Sequence, residues 1–505
     1  MFPVRPLAIL ALLSSFVVVR AARETHGAVA CEAQVCSDAG AGILKLGGNA
    51  ADAMVATVLC VGTVAAHHSG IGGGGFALVR SPTGRPIMID FRETAPALSN
   101  ETMYSKNPNP HASTVGGLAV GVPGELRGLE YLHKHYGKLP WKTLFQPAIK
   151  LARDGFILSP QIAGGIASYG STILNDSSFR AVYSRNGTLL KSGDTAYRPT
   201  YARTLEAIAA YGPDVFYNKR SWIARASVRA VKNSKAQRGI LSLQDLHGAW
   251  KSVNLLTYII VGYKLTSTVA PSSGTAVLSA LNIFDGYNLT YYDNALGIKS
   301  DSNLTAHRLV ESMKYAYGQR TTLGDPKFVG NVSTLELEFL TPQVGAEIRA
   351  SLSDNSTGPP SVEWFDRYDP SGYDVLATHG TSHLVTADED ASRVLLISTL
   401  VHWSMVPETG VILNNEMDDF SSPGSSNAFG YIATPANYIA PGKRPLSSIS
   451  PLIAEDAEGN FVFATGAAGG SAIITANLQV AHHYLDHGLS ARSYSVSFSA
   501  TDVIV

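Results

Sequence analysis

Thr378-His379-Gly380-Thr381-Ser382-His383-Leu384-Val385-Thr386-Ala387 leads through the polar cluster Asp388-Glu389-Asp390-Ala391-Ser392 into Val394-Leu395-Leu396-Ile397-Ser398-Thr399. Two β-branched and aliphatic runs around a polar turn predict a β-hairpin. With the turn centred on Asp390, Thr381 and Thr399 are equidistant from it and face each other, their Cα atoms roughly 4.5 to 5.5 Å apart. Threonine pairs of this kind are ordinary in sheets. Gly380 adds a chemical possibility, because it leaves its carbonyl open to attack by the Thr381 hydroxyl. A threonine whose own freed α-amine serves as base is a recognised nucleophile arrangement.

Working outward, Phe461-Val462-Phe463-Ala464 reads as a strand that ends in Thr465-Gly466-Ala467-Ala468-Gly469-Gly470-Ser471. Two glycines at a strand-to-helix junction expose consecutive N–H groups, the makings of an oxyanion hole or of a plain turn. Asn414-Asn415-Glu416-Met417-Asp418-Asp419-Phe420 is a dense acidic cluster. It suits a solvated loop, or a site for an ammonium group; too few oxygen ligands follow it for a metal, and no metal site is expected. Pro445-Leu446-Ser447-Ser448 offers a hydroxyl pair, and Arg92 stands where the strand Pro86–Phe91 ends. A guanidinium is the side chain best shaped to grip a carboxylate through two parallel hydrogen bonds.

Upstream, Asn49 is a plausible N-cap for a helix over Ala50–Leu59. The following Ser69-Gly70-Ile71-Gly72-Gly73-Gly74-Gly75 lacks the Gly-Lys-Ser/Thr of a phosphate loop. Its glycines are expected to let one backbone pass close to another strand or a ligand. His67 and His68, being adjacent, are expected to point apart. Strands are predicted at Phe76–Arg80 and Pro86–Phe91. Helices are predicted over Leu126–Tyr136, Trp141–Asp154, Tyr201–Tyr211, Trp222–Val231, Gly274–Phe284 and Thr305–Arg320, and Asn331–Pro370 reads as a polar loop or hinge.

The composition bounds the function. The chain has 505 residues, 45% of them hydrophobic and 16% charged, with net charge −1. That is globular material with no basic field for nucleic acid. Arg5, the apolar run Leu7–Val19 and Ala21-Ala22 follow the order of a secretory signal peptide. Thirteen residues fall short of the about 20 apolar ones that span a bilayer. Seven Asn-x-Ser/Thr triplets, at Asn100, Asn175, Asn186, Asn288, Asn303, Asn331 and Asn355, agree with an extracytoplasmic glycoprotein. Three cysteines allow at most one disulfide. Cys36 and Cys60 flank an Ala-rich helical segment whose ends they could pin, leaving Cys31 over.

Together these strings resemble the γ-glutamyltransferases, which are N-terminal-nucleophile hydrolases. The likeness runs from about Gly27 to about Ser490. It rests on Gly380-Thr381-Ser382-His383, Arg92-Glu93-Thr94-Ala95-Pro96, Gly121-Val122-Pro123-Gly124-Glu125, Asn415-Glu416-Met417-Asp418-Asp419-Phe420, Pro445-Leu446-Ser447-Ser448 and Gly466-Ala467-Ala468-Gly469-Gly470. The resemblance implies an α+β fold, a four-layer αββα sandwich. It implies a signal segment at 1–22 and self-cleavage between Gly380 and Thr381. The pieces, 23–380 and 381–505, would form a heterodimer within one joint domain.

Thr381 would attack the γ-amide of glutathione or another γ-glutamyl donor. The ester would then be resolved by water or by an amino acid or dipeptide acceptor, with no cofactor. Thr399 would orient Thr381, and Gly469 and Gly470 would hold the oxyanion. Arg92, Ser447 and Ser448 would bind the donor's α-carboxylate, and Glu416 and Asp419 its α-ammonium. The family disulfide maps to Cys36 and Cys60.

Two departures stand out. Val401 replaces an asparagine that helps bind the donor's amino group, inside a shortened stretch Leu400–Val406. The tail Ala491–Val505 leaves the family pattern, so closing helices and strands are expected to be missing. Both features suit an alternative, a catalytically silent or unprocessed relative. A related acylase acting on another amide is disfavoured by the retained carboxylate and ammonium binders, and no Gly-x-Ser-x-Gly string supports a serine hydrolase.

Overall fold

A hairpin built as the threonine spacing predicts lies at the centre of the larger sheet. The computed structural model describes residues 27–82, 85–248, 252–254, 256–260, 262–287, 302–357, 381–390, 392–399, 402–425, 427, 430–487 and 501–504. Strands Thr381–Ala387 and Arg393–Thr399 pair antiparallel, with Thr381 opposite Thr399. Ala28–Cys31 adds to the outer edge of the first, and Gly74–Arg80 to the free edge of the second. Ile87–Asp90 and Ser252–Asn254 complete six strands. A second, five-stranded antiparallel sheet runs in the order Thr501–Ile504, Phe461–Ala467, Leu452–Glu455, Tyr263–Ser267, Leu256–Ile260.

Alternation along the strands sorts the core. Leu78, Val385 and Leu395 point to the second sheet, where they meet Ile453 and Ala464. The intervening Val79, Leu384, Val394 and Leu396 turn to the other face and pack on a helical layer. The helix Ala50–Val64 lies at the heart of that layer, every residue buried. Such an all-round apolar helix is stable only inside. Its start is fixed by a capping box, Asn49 accepting from the Asp52 N–H while Asp52 accepts from the Asn49 N–H. Cys36 and Cys60 are disulfide-bonded, tying this helix to Gln34–Lys45. On the outer face of the second sheet pack Gly274–Asp285, Ser302–Arg320 and Ala472–His487. The layers therefore run helix, sheet, sheet, helix.

Several expectations need correction. The predicted helix Trp141–Asp154 is two helices, Trp141–Leu144 and Gln146–Asp154. Pro147 near the start of the second can donate no N–H, which breaks the ladder there. The polar stretch from Asn331 contains helices Val332–Phe339 and Pro342–Ser351, the second capped by Thr341. Val332, Leu335 and Phe339 cover Ala270, Leu323 and Leu446, while Ile348 packs on Ile283 and Tyr315. A few well-spaced apolar anchors outweigh the polar average. His67 and His68 do not diverge: they sit in a turn with ring centroids 3.8 Å apart. Burial, and then His68, lowers the His67 pKa to about 3. Within the tail, Thr501–Ile504 forms the edge strand against Phe461–Ala467. The segment 1–26, Gly380, Leu400 and Val401 lie outside the described residues.

The two sheets touch closely beside the hairpin. His383 is buried, and a Cβ on Gly466 would overlap its imidazole ring. Gly466→Ala is therefore expected to cost about 1–3 kcal/mol, the usual penalty of overpacking. Combining it with His383→Ala should recover part of that loss in chemical unfolding. Strictly additive losses would show that the contact does not set the spacing.

Candidate active site

The first residue of the central hairpin strand opens onto a cleft between the two sheets. Thr381, Asp419, Ser447, Ser448 and Gly470 line it, with Arg320 and Tyr431; the enclosed and open space together is about 340 Å³. Strand alternation places Thr381 and His383 on the face toward the second sheet and Ser382 on the opposite face. There Ser382 Oγ donates to Glu32 at 2.7 Å, and His68 Nδ1 lies 3.3 Å from the same carboxylate. The chain just after Gly380 is thus held by the strand Arg393–Thr399 on one side and by a polar tether underneath, with Ala28–Cys31 joining the other side from Leu384 onward. Thr399 faces Thr381 through backbone register.

The glycine string behind this ladder does what was expected of it. A Cβ at Gly74, the residue opposite Thr399, would lie 2.7 Å from the Glu93 carboxylate and 2.5 Å from the Phe91 carbonyl. A Cβ at Gly72 would strike the Ile412 carbonyl. Glycine is required because main chains touch there, with no phosphate involved.

Gly469 and Gly470 bridge the strand Phe461–Ala467 and the helix Ala472–His487 with φ of 120° and 58°. These are left-handed values that favour glycine. Among the described residues neither N–H is used in a hydrogen bond. Two backbone donors at the mouth of a helix, next to a hydroxyl, suit a developing oxyanion.

The ionic residues gather into one buried cluster. Arg92 is fully buried and bonds both Glu416 and Asp419, with Glu93 3.9 Å away. Burial works against the Arg92 charge, yet the Glu416 and Asp419 carboxylates hold its pKa above the ordinary range. Burial pushes the Glu93 carboxyl up to about 8, with Arg92 pulling the other way. Burial pushes Glu416 well up too, again opposed by Arg92. Glu93 and Glu416 are packed around the same guanidinium, so the protons they keep belong to the cluster.

The residues predicted for the carboxylate and the ammonium are thus brought side by side. Arg92 is already paired and does not line the cleft, whereas Asp419, Ser447 and Ser448 do. Ser448 Oγ shares a 2.7 Å hydrogen bond with the Tyr431 hydroxyl. Ser447 Oγ accepts from the Ile449 N–H at 3.2 Å.

Sequence reasoning missed Glu93, Glu32, Arg320 and Tyr431. Glu93 lay inside a quoted motif, next to Arg92, but adjacency in sequence does not reveal a shared cavity. His383 is ill suited as a catalytic base: burial lowers its pKa to about 3, and among the described residues neither ring nitrogen has a hydrogen-bond partner. No group of three His, Cys, Asp or Glu residues able to hold a metal occurs among the described residues.

Known proteins share this chain's sequence pattern and fold. The profile of the gamma-glutamyltranspeptidases matches residues 36–496. The chain belongs to this family. The glutathione hydrolase proenzyme of Arthroderma benhamiae is 43% identical over 486 residues, spanning 92% of this chain and 80% of that protein. The Helicobacter pylori gamma-glutamyltranspeptidase structure is 28% identical, with TM-score 0.60 over 71% of this chain and 96% of that one. A cephalosporin acylase from Bacillus halodurans shares the fold at 23% identity, with TM-score 0.74 over 97% of this chain and 83% of that one. The expected α+β sandwich of the N-terminal-nucleophile type and the family assignment are both borne out. So is the family's enzymatic character.

The carboxyl cluster gives this γ-glutamyltranspeptidase relative a pH signature. An unfolded Glu93 ionises above its ordinary value of 4.5, whereas the folded carboxyl keeps its proton until about 8. Folding stability should therefore fall as pH rises through that window. Glu93→Gln should remove this part of the loss, so its melting temperature gains on the parent between pH 5 and pH 8. Scanning fluorimetry across that range checks it; parallel curves for the two chains would refute the assignment.

Proposed function

We propose that this chain is a self-processing γ-glutamyltransferase acting through Thr381. The observation that carries the reading is the placement of Thr381 at the start of a doubly paired strand, in one cleft with Gly470, Ser447, Ser448 and Asp419. In the precursor, the Thr381 hydroxyl attacks the Gly380 carbonyl. The resulting ester is hydrolysed, and the chain is left as a heterodimer of 23–380 and 381–505. The freed α-amine of Thr381 then takes the proton of its own hydroxyl. The hydroxyl oxygen attacks the γ-carbonyl carbon of glutathione or a related donor.

Gly469 and Gly470 N–H groups receive the charge that develops on the carbonyl oxygen. The amide C–N bond breaks, and the departing amine leaves with the transferred proton. Water, or the amine of an amino acid or dipeptide, attacks the ester and regenerates the hydroxyl. Thr399 keeps Thr381 in register across the hairpin.

Glu416 and Asp419 hold the donor's α-ammonium. An arriving ammonium favours the ionised form of Glu416 and can take the place of the proton that burial otherwise leaves on it. Arg92, Ser447 and Ser448 take the α-carboxylate end of the donor, the guanidinium being held in place by Glu416 and Asp419. The protein is made in the secretory pathway; among the described residues no helix is long and apolar enough to cross a membrane.

Expressed from its full sequence, the chain should resolve on a denaturing gel into two pieces, the smaller beginning Thr-Ser-His. Thr381→Ala should remain a single band, and it should lose at least about 1,000-fold of γ-glutamyl-p-nitroanilide hydrolysis, as expected on loss of a covalent nucleophile. An uncut parent chain that hydrolyses no γ-glutamyl donor would instead support the silent-relative reading.

A further inference from the structure

The strand that begins at Thr381 is paired unevenly along its length. From Leu384 to Ala387 it bonds Ala28–Cys31 on one edge and Arg393–Thr399 on the other. Thr381, Ser382 and His383 pair with the second neighbour alone among the described strands. The first neighbour leaves the sheet after Cys31 and enters the helix Gln34–Lys45.

Side chains take over where the ladder stops. Glu32 is the first residue beyond it, and its carboxylate reaches back to the nucleophile strand, where Ser382 Oγ donates to Oε1 at 2.7 Å. The other oxygen, Oε2, lies 3.3 Å from His68 Nδ1. The His67 ring backs that of His68, with centroids 3.8 Å apart. Ser382 is wholly buried. A buried hydroxyl stripped of its acceptor is costly, so Ser382 and Glu32 hold each other in place. Both anchors of the tether are tied together. Glu32 precedes the helix that carries Cys36, His68 follows the helix Ala50–Val64 that carries Cys60, and the two cysteines are joined.

Thr386 supplies a contrast within the same strand. It lies four residues on and points to the same face as Ser382, and its hydroxyl donates to the Ala50 carbonyl at 2.7 Å. There, however, the strand is paired on both edges, with Val29 and Val394 opposite. The Thr386 bond adds to a position already fixed; the Ser382 bond fixes a position that lacks one neighbour, next to the reactive hydroxyl.

We propose that Glu32 is a positioning residue for the reaction, with His68 holding its carboxylate. Through Ser382 it sets the first residues of the strand, and with them the Thr381 hydroxyl, at the angle that attack requires. The proposal rests on the reading of Thr381 as the nucleophile.

The test uses the full chain with Ser382→Ala, Glu32→Ala, Glu32→Gln, Thr386→Ala and the double variant Ser382→Ala/Glu32→Ala. Self-cleavage is followed on denaturing gels, and kcat and KM for γ-glutamyl-p-nitroanilide are measured per cut chain. Hydrogen exchange is read by mass spectrometry at 381–384 and at 385–387, and thermal melts check folding. Ser382→Ala and Glu32→Ala should slow self-cleavage. They should also lower kcat about ten- to a hundredfold, the cost of misplacing a reacting group by about 1 Å, with KM within about twofold of the parent. The double variant should be no worse than either single one, because the pair acts as a unit. Exchange should quicken at 381–384 and not at 385–387. Glu32→Gln keeps an acceptor for Ser382 but gives up the charge beside His68; it should fall between, and it decides the matter if the alanine variants do not fold. Thr386→Ala should lose stability and keep the parent's kcat.

Folded Ser382→Ala and Glu32→Ala chains that behave as Thr386→Ala does, less stable but with the parent's self-cleavage and kcat, would overturn the proposal. So would additive losses in the double variant. A parent that stays uncut and hydrolyses no donor would sink the catalytic reading instead. Exchange then decides the tether by itself: faster exchange at 381–384 in Glu32→Ala leaves it standing, and unchanged exchange overturns it.

Discussion

The pairing of the strand Thr381–Ala387 on both of its edges is the constraint on which the rest of the site depends. Its register against Arg393–Thr399 sets Thr381 opposite Thr399, and Ala28–Cys31 closes the other edge. A one-residue slip would turn Thr381 away from the cleft and bring Ser382 into it. Two buried features oppose such a slip. Val385 and Leu395 are committed to the space between the sheets, and Ser382 is tethered to Glu32 on the helical side. If Thr381 becomes a chain terminus, these lateral bonds replace the lost covalent one, so the reactive group stays in place after the cut.

Charge is distributed around this ladder unevenly. Glu93, Glu416 and Asp419 surround Arg92 in a volume from which water is largely excluded. Such clusters hold protons at neutral pH, and they respond to an added positive group more than a solvated cluster would. In the cleft, Arg320 has no carboxylate partner among the described residues. With Asp419 the cleft therefore carries both signs, and the nucleophile lies in the same cavity.

Much of this was legible in the chain itself, and the reasons are local. The hairpin follows from alternation and a polar turn. The helix from Ala50 follows from the Asn49 cap, and the glycine junction at 469–470 from its place between a strand and a helix. The strand Ala28–Cys31 was not legible, because four residues of mixed character become a strand only when an edge is offered to them. The helices Val332–Phe339 and Pro342–Ser351 were hidden by a polar average, since few of their residues carry the packing.

The amino-acid sequence by itself determined the family, pointed to Thr381 as the candidate nucleophile and supplied the cast of polar residues. Each of those is written in short strings whose chemistry depends on neighbours in the chain. Only the tertiary structure decided which groups pair. It set Arg92 against Glu416 and Asp419, gave Glu93 a dry pocket beside Gly74, and left Arg320 as the cation of the cleft. Coulomb interactions and desolvation depend on distances between residues hundreds of positions apart, and no spacing along the chain encodes them.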